Sequence, residues 1–196
     1  MKRLFDVIAS FVGLILLSPF LILISVLVVL TSRGGVFYIQ KRVGKNGHDF
    51  NLYKFRTMRP GADQKGLLTV GGRDPRVTAT GYYLRKYKLD ELPQLLNVLF
   101  GSMSFVGPRP EVRKYVDLYS EEQKKVLLVK PGITDYASLE YFNENELLSR
   151  ASNPEQVYVT EVMPAKLELN KRYIEQAGLG TDVKIIWRTL KKIVSG

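Results

Sequence analysis

Cysteine is absent from the 196 residues, and histidine occurs only once, as His48. The first absence excludes a disulfide framework and any metal site built from thiolates. The second excludes a histidine-based catalytic triad together with a histidine metal site, because one imidazole cannot serve both. The sequence also lacks an internal repeat, a low-complexity tract and a sign of a second globular domain. Its length therefore suits one domain with a membrane element.

Acidic residues are in the minority, with 19 Asp and Glu against 29 Lys and Arg, which gives a formal net charge of +10. Such a balance predicts anionic partners, namely lipid headgroups, nucleic acid or phosphorylated metabolites. Composition alone does not choose among these three classes.

Charge is missing altogether from residues 7–30. At ~1.5 Å per residue, a helix of this length can cross a ~30 Å hydrocarbon core. Pro19 near its middle removes one helix hydrogen bond and frees the Ile15 carbonyl, and Ser18 can bond back to a local carbonyl. Basic residues flank both ends of the segment: Lys2, Arg3, Arg33, Lys41, Arg42 and Lys45. The positive-inside rule would keep both ends on the cytoplasmic side, which a Pro-kinked re-entrant helix satisfies. The length of the apolar run favours a single span, so both topologies stay open.

After this segment the sequence predicts a helix-dominated α+β domain that begins with a small β-hairpin. Residues 36–43 and 49–55 have strand character and surround Asn46-Gly47, a strong hairpin signal. Lys54 and Arg56 lie two residues apart, so we expect them to share a face of the strand. Residues 60–81 are rich in Gly, Asp and Arg and are predicted to form a loop.

The helices are predicted from apolar spacing and from end signals. One begins near Asp90, carries Leu residues at helical spacing and ends at Gly101. Others follow the capping box at 120–123 and cover residues 165–177. A last helix, capped by Thr181 or Asp182, has one apolar side: Val183, Ile186, Trp187, Leu190 and Val194. Two interpretations of this amphipathic helix stay open, a position in a membrane interface and packing on the domain.

Two adjacent carboxylates, Asp90 and Glu91, stand at a predicted helix N-terminus. That position favours an ionised carboxylate and also favours phosphate. Neighbouring carboxylates can hold Mg²⁺, which prefers oxygen ligands and substrate phosphates. The alternative is that Asp90 is an N-cap and Glu91 an ordinary first-turn acid.

Two arginines accompany the carboxylates. Arg85 precedes Asp90 by five residues, and Arg109 lies between Pro108 and Pro110, which restrict its backbone on both sides. The planar guanidinium fork suits bidentate binding of phosphate. The alternative for both arginines is a solvated surface position.

Taken together and in order, these motifs resemble the small monotopic phosphoglycosyl transferases, bacterial sugar transferases that prime glycan assembly on undecaprenyl phosphate. The similarity covers most of residues 1–134. It is carried by seven segments: Lys2-Arg3-Leu4-Phe5-Asp6, Ser18-Pro19, Tyr53-Lys54-Phe55-Arg56-Thr57-Met58, Arg73-Asp74-Pro75-Arg76-Val77-Thr78, Leu89-Asp90-Glu91-Leu92-Pro93-Gln94, Ser104-Phe105-Val106-Gly107-Pro108-Arg109-Pro110-Glu111 and Pro131-Gly132-Ile133-Thr134.

The resemblance implies a re-entrant membrane helix over residues 1–32, broken at Ser18 and Pro19. Residues 33–196 are then a catalytic domain with membrane-interface helices, on the cytoplasmic face of the bacterial inner membrane. The implied reaction moves a sugar-1-phosphate from a UDP-sugar to undecaprenyl phosphate, releases UMP and forms undecaprenyl-diphosphate-sugar. This is the first membrane step of O-antigen, capsule, exopolysaccharide or glycoprotein assembly. Membrane lipids are further partners, nucleic acid is not, and the resemblance allows a homodimer.

The resemblance also implies roles for individual residues. Asp90 attacks the sugar-linked phosphate and forms a covalent phospho-sugar intermediate, and Glu91 is its partner in organising metal or protons. Mg²⁺ is the expected cofactor, with Asp90 and Glu91 as its metal ligands. The expected substrate-binding and phosphate-binding residues are Arg85, Arg109, Lys54, Arg56 and Pro108.

Residues 135–142 (Asp-Tyr-Ala-Ser-Leu-Glu-Tyr-Phe) depart from the family pattern after the Pro-Gly-Ile-Thr turn. We expect this stretch to be a specificity element for the sugar. Without the extra N-terminal membrane helices of larger relatives, the chain is predicted to be a minimal catalytic unit. Two rival functions are a membrane-anchored binding module without enzyme activity and a transferase in which Asp90 only binds metal.

Overall fold

The computed structural model describes residues 1–66, 68–71 and 74–195. Leu67, Gly72 and Arg73 of the predicted loop lie outside the described residues. Arg73 also belongs to one of the family segments. The described strands are β1 (Phe37–Val43), β2 (Asp49–Phe55), β3 (Ser104–Val106) and β4 (Gly132–Thr134). The described α-helices are α1 (Lys2–Thr31), α2 (Ala79–Lys86), α3 (Gln94–Phe100), α4 (Arg113–Val116), α5 (Glu121–Lys124), α6 (Tyr136–Glu140), α7 (Glu144–Ser149), α8 (Pro154–Val157), α9 (Met163–Glu175) and α10 (Leu179–Ser195). This confirms the helix-dominated α+β class.

The long apolar helix α1 contains Pro19 and continues for 30 residues. Within the described ranges it is the one helix long and apolar enough to cross a membrane by length and composition. The Ser18 hydroxyl donates to the Ile15 carbonyl at 2.8 Å. Because Pro19 has no N–H to offer that carbonyl, Ser18 satisfies the acceptor that the proline leaves free.

Both ends of α1 pack on the folded domain. Near its start, Asp6 is buried and accepts hydrogen bonds from the Ser104 hydroxyl and the Phe105 N–H, each at 3.2 Å. Near its end, Ile24 and Val28 are buried in one apolar cluster with Phe55 of β2 and Leu84 of α2. Most of the surface between these two ends is exposed and apolar, including Leu16 and Leu23.

The predicted hairpin is confirmed, with β1 and β2 antiparallel in a register from Phe37 opposite Phe55 to Val43 opposite Asp49. Asn46 and Gly47 both have positive φ, 56° and 76°. An Asn-Gly pair tolerates this left-handed backbone better than other pairs do, which explains why the turn falls there.

A second, parallel pair joins β3 to β4, with Ser104 opposite Gly132 and Val106 opposite Thr134. A Cβ atom on Gly132 would lie 2.1 Å from the Gly107 nitrogen. Glycine is therefore required where these two turns touch. The contact brings the Gly107-Pro108-Arg109-Pro110 turn against the Pro131-Gly132 turn.

Three helix boundaries differ from the sequence prediction. The loop over residues 60–81 ends earlier, because α2 begins at Ala79 after an N-cap by Thr78, which accepts from the Gly81 N–H at 3.0 Å. The helix predicted from Asp90 is a 3₁₀ turn over Leu89–Glu91 followed by α3. In α10, neither Thr181 nor Asp182 is the cap, because both lie inside the helix.

The largest core cluster joins the hairpin to the C-terminal helices. Tyr158 and Leu148 are almost fully buried there, and Val43 of β1 packs in the same cluster. A smaller cluster around Val106 and Ile185 fixes α10 on the β3–β4 pair. These contacts hold α1, the hairpin and α10 around a central cavity.

Candidate active site

A cavity of about 540 Å³ lies between α1, the hairpin, the Asp90-Glu91 turn and α10. One part is charged, with six cationic and four acidic side chains in its lining. The rest is largely apolar, with side chains from α1 and α10. A volume of this size holds a drug-sized ligand. The charged part has an excess of cations, which suits an anionic ligand.

The Asp90-Glu91 pair is held on the 3₁₀ turn that follows α2. Lys88, at the start of this turn, has a left-handed backbone with φ 55°. For a residue with a Cβ that conformation costs about 1–2 kcal/mol. It lets the chain reverse after α2, so that the Glu91 N–H bonds to the Lys88 carbonyl at 3.3 Å and both acids face the cavity.

Glu91 is bound by two cations. Lys54 of β2 donates to its carboxylate at 3.1 Å, and Arg109 forms a two-pronged contact with both carboxylate oxygens, one of them at 3.1 Å. Burial alone would raise the pKa of Glu91, but Arg109 and Lys54 together hold it well below the ordinary value of 4.5. Glu91 is therefore a fixed anion at neutral pH.

Asp90 has the opposite environment. It is 8% exposed, and among the described residues its carboxylate has neither an ion pair nor a hydrogen bond. Burial, followed by the negative charge of Glu91, raises the pKa of Asp90 above its ordinary value of 3.8. The result is an unpaired carboxylate of raised pKa in the lining of the cavity.

Arg85 and Lys88 also line the cavity, act on the pKa of Asp90 through their charge, and have no acidic partner within the described residues. Arg85 donates to the Thr69 hydroxyl at 2.7 Å, and the Lys88 ammonium lies 5.0 Å from the centre of the Phe142 ring. Burial lowers the pKa of Lys88, although Glu91 opposes that shift. Because no carboxylate occupies them, these two cations are available to an incoming phosphate.

Arg109 is positioned by its backbone as much as by Glu91. Its N–H donates at 3.1 Å to Asp135, a fully buried carboxylate that also caps α6 by accepting from the Ser138 N–H at 2.6 Å. The Gly132 N–H donates to the Pro108 carbonyl at 3.0 Å. The proline-flanked turn is thus fastened on two sides, which fixes the direction of the Arg109 side chain.

The structure brings some of the sequence-predicted residues together and not others. Asp90, Glu91, Arg85, Arg109 and Lys54 all line the cavity. Pro108 lines a separate pocket of about 20 Å³ behind Arg109. Arg56 follows the end of β2, and its guanidinium donates to the Gly35 carbonyl before β1 and to the Phe37 carbonyl at the start of β1, at 3.2 and 3.0 Å. Ser18 and Pro19 also lie outside the cavity lining.

Among the lining residues, Lys88 and Arg42 were not predicted from the sequence to belong to the site. Lys88 stands two residues before Asp90, and its position in the motif was the available signal. Asp135 lies outside the cavity lining and supports the Arg109 backbone, and its place as a helix N-cap three residues before the Ser138 N–H could have been predicted from the sequence. Arg42, paired with Glu111 at 3.5 Å, reaches the cavity only through tertiary packing, whereas Tyr141 belongs to the predicted specificity stretch 135–142.

Mg²⁺ fits this site only with substrate oxygens as its main ligands. The described residues contain no group of three acidic or histidine side chains that could hold a metal, and Glu91 is already engaged by two cations. Asp90 is the one carboxylate of the pair left free. Mg²⁺ commonly binds through one or two carboxylates and the phosphates of its substrate, so Asp90 suits such an arrangement.

Comparison with known proteins places the chain in a family. The family model described as "Bacterial sugar transferase" matches residues 1–196. A UDP-N-acetylgalactosamine-undecaprenyl-phosphate N-acetylgalactosaminephosphotransferase of Aeromonas hydrophila is 36% identical over 198 residues, covering 100% of this chain and 44% of that protein. An uncharacterized sugar transferase, EpsL, of Bacillus subtilis (strain 168) is 39% identical over 195 residues, covering 99% and 87%.

A UDP-glucose:undecaprenyl-phosphate glucose-1-phosphate transferase of Escherichia coli (strain K12) is 35% identical over 196 residues, covering 98% of this chain and 40% of that protein. The chain therefore spans less than half of the Aeromonas and Escherichia proteins and most of EpsL. The family match runs through every segment that lines the cavity, from α1 to α10. The chain belongs to the bacterial sugar transferase family.

Proposed function

We propose that this protein transfers a sugar-1-phosphate from a UDP-sugar to undecaprenyl phosphate, releasing UMP and forming undecaprenyl-diphosphate-sugar. The names of its relatives support this substrate class. The observation that carries the proposal is the free Asp90 carboxylate, which lies where the charged part of the cavity meets the apolar part. A site of this kind can receive a soluble anionic donor and a lipid acceptor in turn.

In the first step, an Asp90 oxygen attacks the sugar-linked phosphorus of the donor. A new carboxyl–phosphate bond forms, the bond from that phosphorus to the bridging oxygen breaks, and UMP leaves with the electron pair. Attack by an anion on a diphosphate is electrostatically unfavourable, so Arg85 and Lys88 stabilise the charge on the phosphoryl oxygens. The raised pKa of Asp90 makes its ionised form a stronger nucleophile.

In the second step, a phosphate oxygen of the lipid acceptor attacks the same phosphorus. The carboxyl–phosphate bond breaks, Asp90 is regenerated as a carboxylate, and the sugar diphosphate stays on the lipid. Dividing the transfer this way lets the two substrates use one site in sequence. Glu91 keeps Arg109 and Lys54 in place through both steps.

Asp90 would hold Mg²⁺ together with oxygens of the donor, and the ion would then neutralise charge on the diphosphate. Glu91, Arg109 and Lys54 hold one another in place through their ion pairs. They orient the site around Asp90, which is left without a partner among the described residues.

The re-entrant topology is part of the proposal. A 30-residue helix is roughly 45 Å long if straight, so a span would carry its two ends to opposite sides of the bilayer. Yet Asp6 near one end and Val28 near the other pack on the same domain. Basic residues at both ends, including Lys2 and Arg33, also favour one side. We therefore infer that α1 enters and leaves through the cytoplasmic leaflet, with its bend at Ser18 and Pro19.

Sugar recognition is assigned to the region after β4. Ala137, Ser138, Tyr141 and Phe142 line the cavity, and the buried Ser138 hydroxyl has no hydrogen-bond partner among the described residues. An unpaired buried hydroxyl costs free energy that a sugar hydroxyl can recover. Aromatic side chains beside it supply the apolar surface against which a sugar ring packs.

The test is intact-protein mass spectrometry on detergent-purified protein with Mg²⁺ and a panel of UDP-sugars, in the absence of lipid acceptor. We expect a mass increase of one sugar-phosphate together with UMP, and we expect both to be lost in Asp90→Asn, because the amide is a far weaker nucleophile. Ser120→Ala, at an exposed helix cap, is the control that should behave like wild type.

Other outcomes lead to the rival functions. UMP that forms only after undecaprenyl phosphate is added, with no adduct, would favour direct transfer with Asp90 as a metal ligand. Absence of UMP with every donor, with and without lipid acceptor, would favour the binding module.

A further inference from the structure

We propose that the apolar part of the cavity, between α1 and α10, binds the first isoprene units of the acceptor's polyprenyl tail. This inference rests on the proposed function and adds a lipid-binding subsite to it. We call the subsite the tail groove and define it by Ala9, Gly13 and Leu17 of α1 and Ile186, Leu190 and Ile193 of α10.

The α1 side of the tail groove includes two small residues, Ala9 and Gly13. Ala9, Gly13 and Leu17 follow each other at a spacing of four and share one helix face. Glycine is unfavourable inside a helix relative to alanine, so its presence needs a reason. Close packing is not that reason, because a Cβ on Gly13 would meet only the Leu95 methyl, at 3.7 Å. Gly13 instead leaves room that a larger side chain would fill.

The α10 side connects the tail groove to the apolar surface. Leu190 lines the cavity and is also 53% exposed, so the cavity reaches the surface at that residue. Trp187 and Val194, on the same apolar side of α10, are 69% and 87% exposed. The opening therefore lies in a surface that is suited to lipid.

The other end of the tail groove leads to the charged part of the cavity. Leu92 and Leu95 line the passage next to Asp90, and Arg85 and Lys88 face the same space. In this order, the cations can bind the phosphate of a lipid beside the free carboxylate, and the apolar wall can contact the hydrocarbon tail attached to that phosphate. A long polyprenyl chain exceeds a cavity of about 540 Å³, so its remaining units continue through the opening into the bilayer.

The test uses the full chain in nanodiscs and compares Gly13→Leu with wild type. Acceptor-dependent turnover is measured with geranyl, farnesyl and undecaprenyl phosphate. Gly13→Ala is the conservative variant, since its methyl group fits beside Leu95. Val12→Leu is the matched control, because Val12 neighbours Gly13 on α1 but does not line the cavity.

We expect Gly13→Leu to raise the KM for undecaprenyl phosphate at least about tenfold, because the tail loses buried apolar contact, with a progressively smaller effect as the tail shortens. Gly13→Ala and Val12→Leu should stay close to wild type. Adduct formation from the donor, measured without acceptor, shows whether each variant is folded.

Three outcomes would overturn the tail groove: a KM of Gly13→Leu for undecaprenyl phosphate within about twofold of wild type, an equal loss for all tail lengths, and competition by phosphatidylglycerol as effective as that by undecaprenyl phosphate.

If wild type forms neither adduct nor UMP, the proposed function fails. Native mass spectrometry of bound undecaprenyl phosphate then still decides the groove. Weaker binding to Gly13→Leu than to Val12→Leu supports it, and equal binding refutes it.

Discussion

At the scale of the residue, two neighbouring carboxylates in the site differ in pKa because they have different partners. Glu91 is neutralised by Lys54 and Arg109, and its pKa falls, whereas Asp90 is buried without a partner among the described residues, and its pKa rises. Removing one member of a buried ion pair costs more than the pair itself contributes, because the remaining charge stays buried. Glu91 thereby fixes two cations whose charges would otherwise be uncompensated.

Glu91→Gln should therefore destabilise the protein by about 3–5 kcal/mol, since Arg109 and Lys54 lose their counter-charge. The measurement is the midpoint and free energy of chemical unfolding in detergent. Glu155→Gln is the matched control, because Glu155 pairs with Lys114 on the surface and both side chains are more than half exposed. There we expect a change within about 0.5 kcal/mol. Equal losses in the two variants would contradict the role given to Glu91.

At the scale of the element, α1 is both a long exposed apolar helix and a part of the domain core. Lys2 forms an ion pair with the buried Asp182 of α10 and donates to the Val106 carbonyl at 3.0 Å. Asp182 also accepts from the Tyr173 hydroxyl at 2.7 Å. The start of α1 is thus fastened to α10, and its later part, at Ile24 and Val28, to the hairpin and α2.

Pro19→Ala should shift α1 towards a straight span, because alanine restores the N–H that can bond to the Ile15 carbonyl. The chain has no cysteine, so a single cysteine at Leu4 or at Lys41 can be labelled without background. In wild type we expect both positions to react from the cytoplasmic side. In Pro19→Ala we expect part of the molecules to lose labelling at Leu4→Cys from that side.

Leu16→Ala, at an exposed position of the same helix, is the control and should keep the wild-type labelling. Unchanged labelling of both positions in Pro19→Ala would show that the domain contacts of α1, rather than the proline, hold its topology.

At the scale of the whole molecule, the net charge of +10 and the exposed apolar surfaces of α1 and α10 act together. Arg188, Lys191 and Lys192 lie on α10 beside its apolar side, whose exposed members include Val183 and Trp187. Amphipathic helices of this composition can lie in the headgroup region and be attracted to anionic lipid, and we propose that position for α10. The two helices would place the cavity opening at the depth where a lipid phosphate resides.

Trp187 is the only tryptophan in the chain, so its fluorescence reports the depth of α10 without ambiguity. In vesicles with brominated acyl chains, we expect bromine near the headgroups to quench Trp187 more than bromine near the chain ends, which is the pattern of a helix that lies in the interface. A soluble quencher should have less effect in vesicles than after unfolding. If brominated lipid does not quench Trp187 at either depth, α10 packs away from the membrane.

Local rules were sufficient for the elements whose signals lie within a few residues. Asn46-Gly47 adopts the left-handed turn expected of it, Gly101 ends α3 with φ 90°, and Ser120 and Gln123 form the predicted capping box. The start of α2 was missed because Gly81 weakens its helical pattern. That glycine is required by packing, since a Cβ there would lie 2.1 Å from the Thr57 carbonyl oxygen.

The sequence by itself determined the helix-dominated α+β class, the long apolar helix, the hairpin and the adjacency of Asp90 and Glu91, because each depends on composition or on short-range spacing. Only the tertiary structure decided which carboxylate is free, because the partners of Glu91 come from β2 and from a turn 18 residues away. It also turned Arg56 towards the β1 backbone and buried Asp182 against Lys2. Such pairings depend on packing between distant segments, which no local pattern encodes.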